Sequence, residues 1–139
     1  MNGKGSGPFS FTAVLVAVVV AGCGTPSADL FVVERAGDLP GAKLDLVVGD
    51  GNTVRCNGTE RPFANDKLLA ARELARDLEP LLDRRTTLPT PAGAQLTFRV
   101  FNDKGEARFA DASAARNPAL ARLLAFTRAV ARESCGLPR

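Results

Sequence analysis

The residues with the widest chemical range in this 139-residue chain are three cysteines, Cys23, Cys56 and Cys135. A thiolate can attack an electrophile, carry an acyl group, ligate a metal or pair in a disulfide, and its neighbours decide which of these is open. The chain contains no histidine, tyrosine or tryptophan. No Ser-His or Cys-His pair can therefore be assembled, and no imidazole is present as an acid, a base or a zinc ligand. Carboxylates are the only remaining acid–base groups. Asp50, Asp103 and Asp111 fall in predicted turns, where aspartate is favoured for bonding its local backbone. Asp50-Gly51-Asn52 lacks the further oxygen ligands of a calcium loop. The expectation is a protein that is not an enzyme and that needs neither metal nor cofactor.

The surroundings of Cys23 are specific. Residues 1–22 have the three parts of an export signal: a thin positive start with Lys4, an uncharged apolar run Phe9–Ala21, and small residues at its end. Thirteen helical residues reach roughly 20 Å at about 1.5 Å each, short of a hydrocarbon core of about 30 Å. Val20-Ala21-Gly22-Cys23 does not have the Ala-x-Ala pattern of a common secretory cut. It resembles the lipobox of bacterial lipoproteins: a branched apolar residue, two small residues and a cysteine directly after the hydrophobic run. The resemblance covers the leader alone. It implies diacylglycerol transfer to the Cys23 sulfur, cleavage before Cys23 and a protein anchored by lipid on the extracytoplasmic face of the cell membrane. A plain secreted protein and an uncleaved anchor are the other readings of such a leader. Two acyl chains give a stable anchor where one does not. Residues 23–29 then read as a short polar tether and 30–139 as one domain.

Removing the leader leaves 117 residues, enough for one domain with a real core. Lys4 is the only charge lost, so the mature chain carries 17 basic against 15 acidic residues. That balance, with arginines scattered along the chain, gives no nucleic-acid signature. With Cys23 lipidated, two cysteines remain in an oxidising compartment, and an even number there reads as a disulfide between Cys56 and Cys135.

The elements that must position these residues follow from periodicity. Leu30–Arg35 is a β-rich run ended by Gly37 and Pro40. Leu44, Leu46 and Val48 alternate with Asp45, Gly49-Asp50-Gly51-Asn52 turns the chain, and Val54 and Cys56 alternate with Thr53 and Arg55: a hairpin. Asn57-Gly58-Thr59 matches a glycosylation sequon and reads as a loop. Asn65 is a suitable cap for an amphipathic helix carrying Leu68, Ala71, Leu74, Leu78 and Leu81, which Pro80 should kink or end near Glu79. Arg84–Ala94 reads as a linker. A second hairpin alternates Leu96, Phe98 and Val100 with Thr97 and Arg99, turns at Asn102–Gly105, and returns through Ala107 and Phe109. Asn117-Pro118 caps a second helix with a stripe at Leu120, Leu123, Leu124, Thr127 and Val130, stopped by Gly136 and Pro138.

Each hairpin and each helix thus has one apolar side. The predicted fold is α+β, a two-layer sandwich of an antiparallel sheet of about five strands with two helices on one face, with a possible ββα duplication. Cys56 falls on the inner face and Cys135 in the last turn of the covering helix, so a disulfide between them would staple helix to sheet. The outer face would show Arg55, Arg99 and Arg108. They read either as anchors for an anionic partner or as members of cross-strand ion pairs on a solvated face. Two functions follow. One is a membrane-anchored envelope lipoprotein whose small non-catalytic domain binds an envelope protein, glycan or lipid. The other is an exported protease inhibitor, because the order of hairpin, helix and hairpin is similar to that of bacterial subtilisin inhibitors, with Arg84–Gly93 as an exposed loop. Those inhibitors usually carry two disulfides, and one is available here.

Overall fold

A computed structural model of the chain describes Gly3, Gly5 and residues 29–138; Cys23, with the rest of the leader and the tether before Asp29, lies outside the described residues. Six strands alternate inner and outer side chains: β1 (Asp29–Gly37), β2 (Leu44–Gly49), β3 (Thr53–Cys56), β4 (Thr59–Pro62), β5 (Leu96–Phe101) and β6 (Glu106–Ala110). They form one antiparallel sheet in the order β4-β3-β2-β1-β5-β6. β1 is the central strand that joins the two hairpins, with Val33 opposite both Leu46 and Val100.

The expected α+β two-layer architecture is present, with one strand more than about five. The additional strand is β4. Asn57 (φ 49°) and Gly58 (φ 83°) both sit in the left-handed region between the paired residues Cys56 and Thr59. Two consecutive positive-φ residues make the tight hairpin turn whose twist suits antiparallel strands. Asn57 also extends the β2–β3 ladder: its N–H donates to the Asp45 carbonyl at 2.8 Å, and its side-chain oxygen accepts from the Asp45 N–H at 2.8 Å. The stretch that matches a sequon is therefore a hairpin turn rather than a loop.

Three helices are described: α1 (Asn65–Asp83), the single turn α2 (Asp111–Ala114) and α3 (Pro118–Glu133). Asn65 is the first helical residue of α1, and the cap position is Ala64, which makes no side-chain cap bond. Pro80 does not end α1, which runs on to Asp83. The last turn buries Leu78, Leu81 and Leu82, and full burial of a leucine at roughly 1.5–3 kcal/mol offsets the cost of proline in a helix, about 3 kcal/mol. α3 starts as its sequence indicates. The Asn117 side chain accepts from the Ala119 and Leu120 N–H groups, and Pro118 stands at the first helical position.

The core lies between the inner sheet face and the two long helices. Leu44, Leu46, Phe98, Leu74, Leu78, Leu123 and Val130 are all buried in it, while Leu96 is half-buried at its margin. Phe126 of α3 packs edge-on against Phe31 of β1 and Phe63 before α1. α1 and α3 run antiparallel, with ion pairs Lys67–Glu133 and Asp77–Arg122 at either end of their contact. Cys56 and Cys135 are joined, with Cα atoms 5.6 Å apart across a sequence separation of 79. Strand β3 is thereby tied to the end of α3.

Candidate functional site

The outer face of the sheet carries the residues that the sequence marks out as a binding face, and the strand register decides what they can do. One row across the sheet reads Asp45, Glu34, Arg99 and Arg108 on β2, β1, β5 and β6. The next reads Glu60, Arg55, Val47, Val32, Phe101 and Glu106 from β4 to β6. Arg99 lies directly opposite Arg108, a like-charge pair that is destabilising unless acids intervene. They do. Arg99 donates to Glu106 at 2.7 Å and to Glu34 at 3.2 Å, and Arg108 donates to the other Glu106 oxygen at 3.1 Å. The Arg99 guanidinium also stacks 4.2 Å from the centre of the Phe101 ring. Arg55, two strands away, pairs with Asp29 at 3.7 Å.

Electrostatics follow the geometry. Hydrogen bonds from Arg99 first, and then from Arg108, hold the Glu106 carboxyl below its ordinary range. The same bonds, from Glu106 and then Glu34, push the Arg99 guanidinium up, so it stays charged at any accessible pH. All three arginines are engaged in ion pairs. The structure brings Arg99 and Arg108 together and leaves Arg55 outside their cluster.

Beside this cluster the outer face opens into a groove of about 710 Å³. Its floor is small and flat at Ala36, Gly37 and Thr97, and Glu34, Lys43 and Asp45 lie along the strands beyond. Its wall is the stretch Thr87–Thr90, with Leu88 packed against the core margin. That wall is held by main-chain bonds: the Arg108 N–H donates to the Thr86 carbonyl, and the Leu88 N–H donates to the Arg108 carbonyl, both at 2.9 Å. Thr87 thus forms a parallel bridge to Arg108 along the free edge of β6. The predicted linker is, in this part, a sheet-edge strap. The segment that would serve as an exposed inhibitor loop is tied down at Thr86–Leu88.

No protein-family model, curated protein or solved structure matches this chain. The site must be read from its own chemistry. Hydroxyls of Thr87, Thr90 and Thr97, edge carbonyls and compensated charges can hydrogen-bond and orient a ligand, and the walls between them are largely apolar. Among the described residues there is no group of three or more His, Cys, Asp or Glu side chains placed to hold a metal ion. Nor is any helix there long and apolar enough to cross a membrane.

The residue that sequence reasoning missed is Arg35. It is 3% exposed on the inner face, where its Nε donates to the Ala42 carbonyl at 2.7 Å and its Nη2 to the Gly41 carbonyl at 2.9 Å. The signal was available: Phe31, Val33 and Arg35 share one parity on β1, so the arginine had to follow the two apolar residues inward. Gly41 can offer its carbonyl this way because its backbone is left-handed (φ 72°).

Proposed function

We propose that this chain is a bacterial envelope lipoprotein, cleaved before Cys23 and held on the extracytoplasmic face of the cell membrane by acyl chains on that sulfur. Its small non-catalytic domain binds an envelope protein, glycan or lipid in the groove on the outer sheet face. One observation carries the anchor: Val20-Ala21-Gly22-Cys23 stands directly behind an uncharged run of thirteen residues. The groove supports the binding half of the reading, since its wall is a hydrogen-bonded strap rather than a nucleophile or acid–base pair.

On this reading the strand order sets which end of the sheet follows the tether. Six residue steps from Cys23 to Asp29 span at most about 20 Å. Asp29 opens β1 at the end of the sheet that carries the Asp50–Asn52 and Asn102–Gly105 turns, whereas the groove lies at the opposite end, by Gly37 and Thr97. Nine strand residues separate the two ends by about 25–30 Å. On this reading the groove lies at the end of the sheet farther from the anchored Cys23.

Intact-protein mass spectrometry of the membrane fraction tests this. The expected species begins at Cys23 and carries the mass of its acyl chains, and Cys23→Ala should move the protein out of the membrane fraction. A soluble, unmodified species beginning near Thr25 would sink the anchor. Chemical crosslinking from Thr90→Cys should capture a partner that Ala36→Arg, which fills the groove floor, no longer captures.

A further inference from the structure

The outer face of the sheet carries an apolar row where alternation should place polar side chains. In an antiparallel sheet with one solvated face each strand alternates apolar-in and polar-out, whereas a strand covered on both faces reads as a continuous apolar run. The three central strands are of the second kind. β1 runs Phe31-Val32-Val33, β2 runs Leu46-Val47-Val48 and β5 runs Val100-Phe101. Phe31, Val33, Leu46, Val48 and Val100 are buried in the core. Val32, Val47 and Phe101 point outward, stand opposite one another across β2, β1 and β5, and are half-buried. Arg99 shields one side of Phe101. Both long helices pack on the inner face, and the strap at Thr87–Thr90 rises beside the far end of the sheet.

The charges that flank the row decide what fits it. Arg55 stands one strand beyond Val47 and Glu106 one strand beyond Phe101, so about Val32 the row is basic at one end and acidic at the other. Turned about an axis along β1 and laid face to face, a second copy sets Val32 on Val32, Val47 on Phe101 and Arg55 on Glu106. In the next row Asp45 then faces Arg99. Asp45 makes no ion pair among the described residues. An axis across the strands would instead set Arg55 on Arg55 and Glu106 on Glu106, and like charges disfavour that arrangement. The face is therefore complementary to itself in one orientation, as an isologous interface requires. On the lipoprotein reading the same axis leaves both Asp29 ends at one end of the pair, where both tethers reach one bilayer.

We propose that the outer sheet face is the interface of a symmetric dimer of this chain, centred on Val32 with its twofold axis along β1. Five strands about 4.8 Å apart and some 20 Å long present roughly 500 Å² per copy. That is about 1,000 Å² in total, the low end for a specific interface. Such a contact is weak in solution and gains from two anchors in one membrane, which raise the effective concentration. The ion pairs choose the orientation rather than supply the strength, because Arg99 and Glu106 are already bonded within each copy. Asp45 and Arg99 also line the groove, so a second copy screens its rim, and the dimer and a groove-bound partner exclude one another. The gain from two anchors rests on the lipoprotein reading; the self-complementary row does not.

The test is cysteine crosslinking of the full chain in intact cells, with non-reducing electrophoresis of the membrane and soluble fractions run separately. Val32→Cys lies on the axis and should give a species of twice the mass of the chain. Glu73→Cys, on the exposed side of α1, should not. Co-expressed Val47→Cys and Phe101→Cys, told apart by a tag, should crosslink to one another about 5-fold more than to themselves, since facing positions are separated only by the sheet spacing of about 10 Å and like positions by two strands more. Arg55→Glu added to Val32→Cys should lower the dimer yield about 10-fold by setting acid against acid. A dimer found in the soluble fraction alone keeps the interface and removes the anchor. Absence of the Val32→Cys dimer from both fractions, equal yield from Glu73→Cys, or a product with a different protein in its place overturns the interface. So does a predominance of like pairs, or an unchanged yield with Arg55→Glu. Circular dichroism of the Arg55→Glu variant keeps a folding defect apart from a lost contact, and the Val47–Phe101 pairing tests the axis without it.

Discussion

Replacing both bridged cysteines, Cys56→Ala/Cys135→Ala, tests the fold and the compartment together. The disulfide closes a loop with a sequence separation of 79. In the chain-entropy model, a loop of that length removes denatured-state entropy equivalent to about 4.5 kcal/mol at 25 °C. Measured effects usually fall below the model, and two further contributions push in opposite directions. Cys56 is buried, so truncation to alanine loses a little packing; a less compact denatured state exposes more surface. The expected loss is about 2–4.5 kcal/mol, with a fall in Tm of about 8–18 °C for a domain of this size. Urea denaturation monitored by far-ultraviolet circular dichroism reads it. The denaturant slope should rise as well, because the uncrosslinked chain unfolds to a larger surface. A loss under about 1 kcal/mol with an unchanged slope would refute the claim that this bond restrains the unfolded chain. On the proposed anchor, membrane attachment should be untouched by the double change, since it would rest on Cys23 alone.

Three further outcomes follow from single contacts. A methyl group added by Gly105→Ala would meet the Leu82 carbonyl oxygen at 2.1 Å and its carbon at 2.8 Å, so the Asn102–Gly105 turn must lift off the end of α1. Stability measured in urea should fall by about 1–3 kcal/mol, and an unchanged midpoint would show that the turn does not seat there. Thr127 is fully buried with no hydrogen-bond partner for its hydroxyl among the described residues, so Thr127→Val should raise stability by about 1 kcal/mol in the same assay; destabilisation would mean that the hydroxyl has found a partner. The Glu106 carboxyl, depressed by Arg99 and Arg108, contributes stability above the ordinary glutamate range and loses it as pH falls through its lowered folded value. Carbon-13 titration should therefore show Glu106 protonating at lower pH than usual and returning toward the ordinary range in Arg99→Gln, whereas identical midpoints would argue against the bonds.

The layered fold was legible because its signals are periodic. Leu44, Leu46, Val48, Phe98 and Val100 mark one sheet face by alternation, and Leu74, Leu78, Leu123 and Val130 mark the facing helix stripes; all nine are buried. The features that escaped are those in which a local signal is overridden or shared. Pro80 argues for a helix end, yet the leucines at 81 and 82 hold the last turn because the core needs them. Asn57-Gly58 satisfies both a sequon and a tight turn, and the flanking Thr59–Pro62 lacks the apolar alternation of a strand because β4 is an exposed edge. Thr86–Leu88 joins the edge of β6 through a single bridge, which leaves almost no pattern in side chains. Charged residues were the least legible. Sequence alternation places Arg99 and Arg108 on one face, but only the register shows that Glu34 flanks Arg99 on β1 and that Glu106 is in reach of both arginines.

That pairing changes what the outer face can offer a partner. An arginine already bonded to two carboxylates gains little from a third, because each new contact must first break one that exists. On the proposed reading, recognition in the groove would therefore rest on shape, on threonine hydroxyls and on backbone groups of the strap, contacts that added salt scarcely weakens.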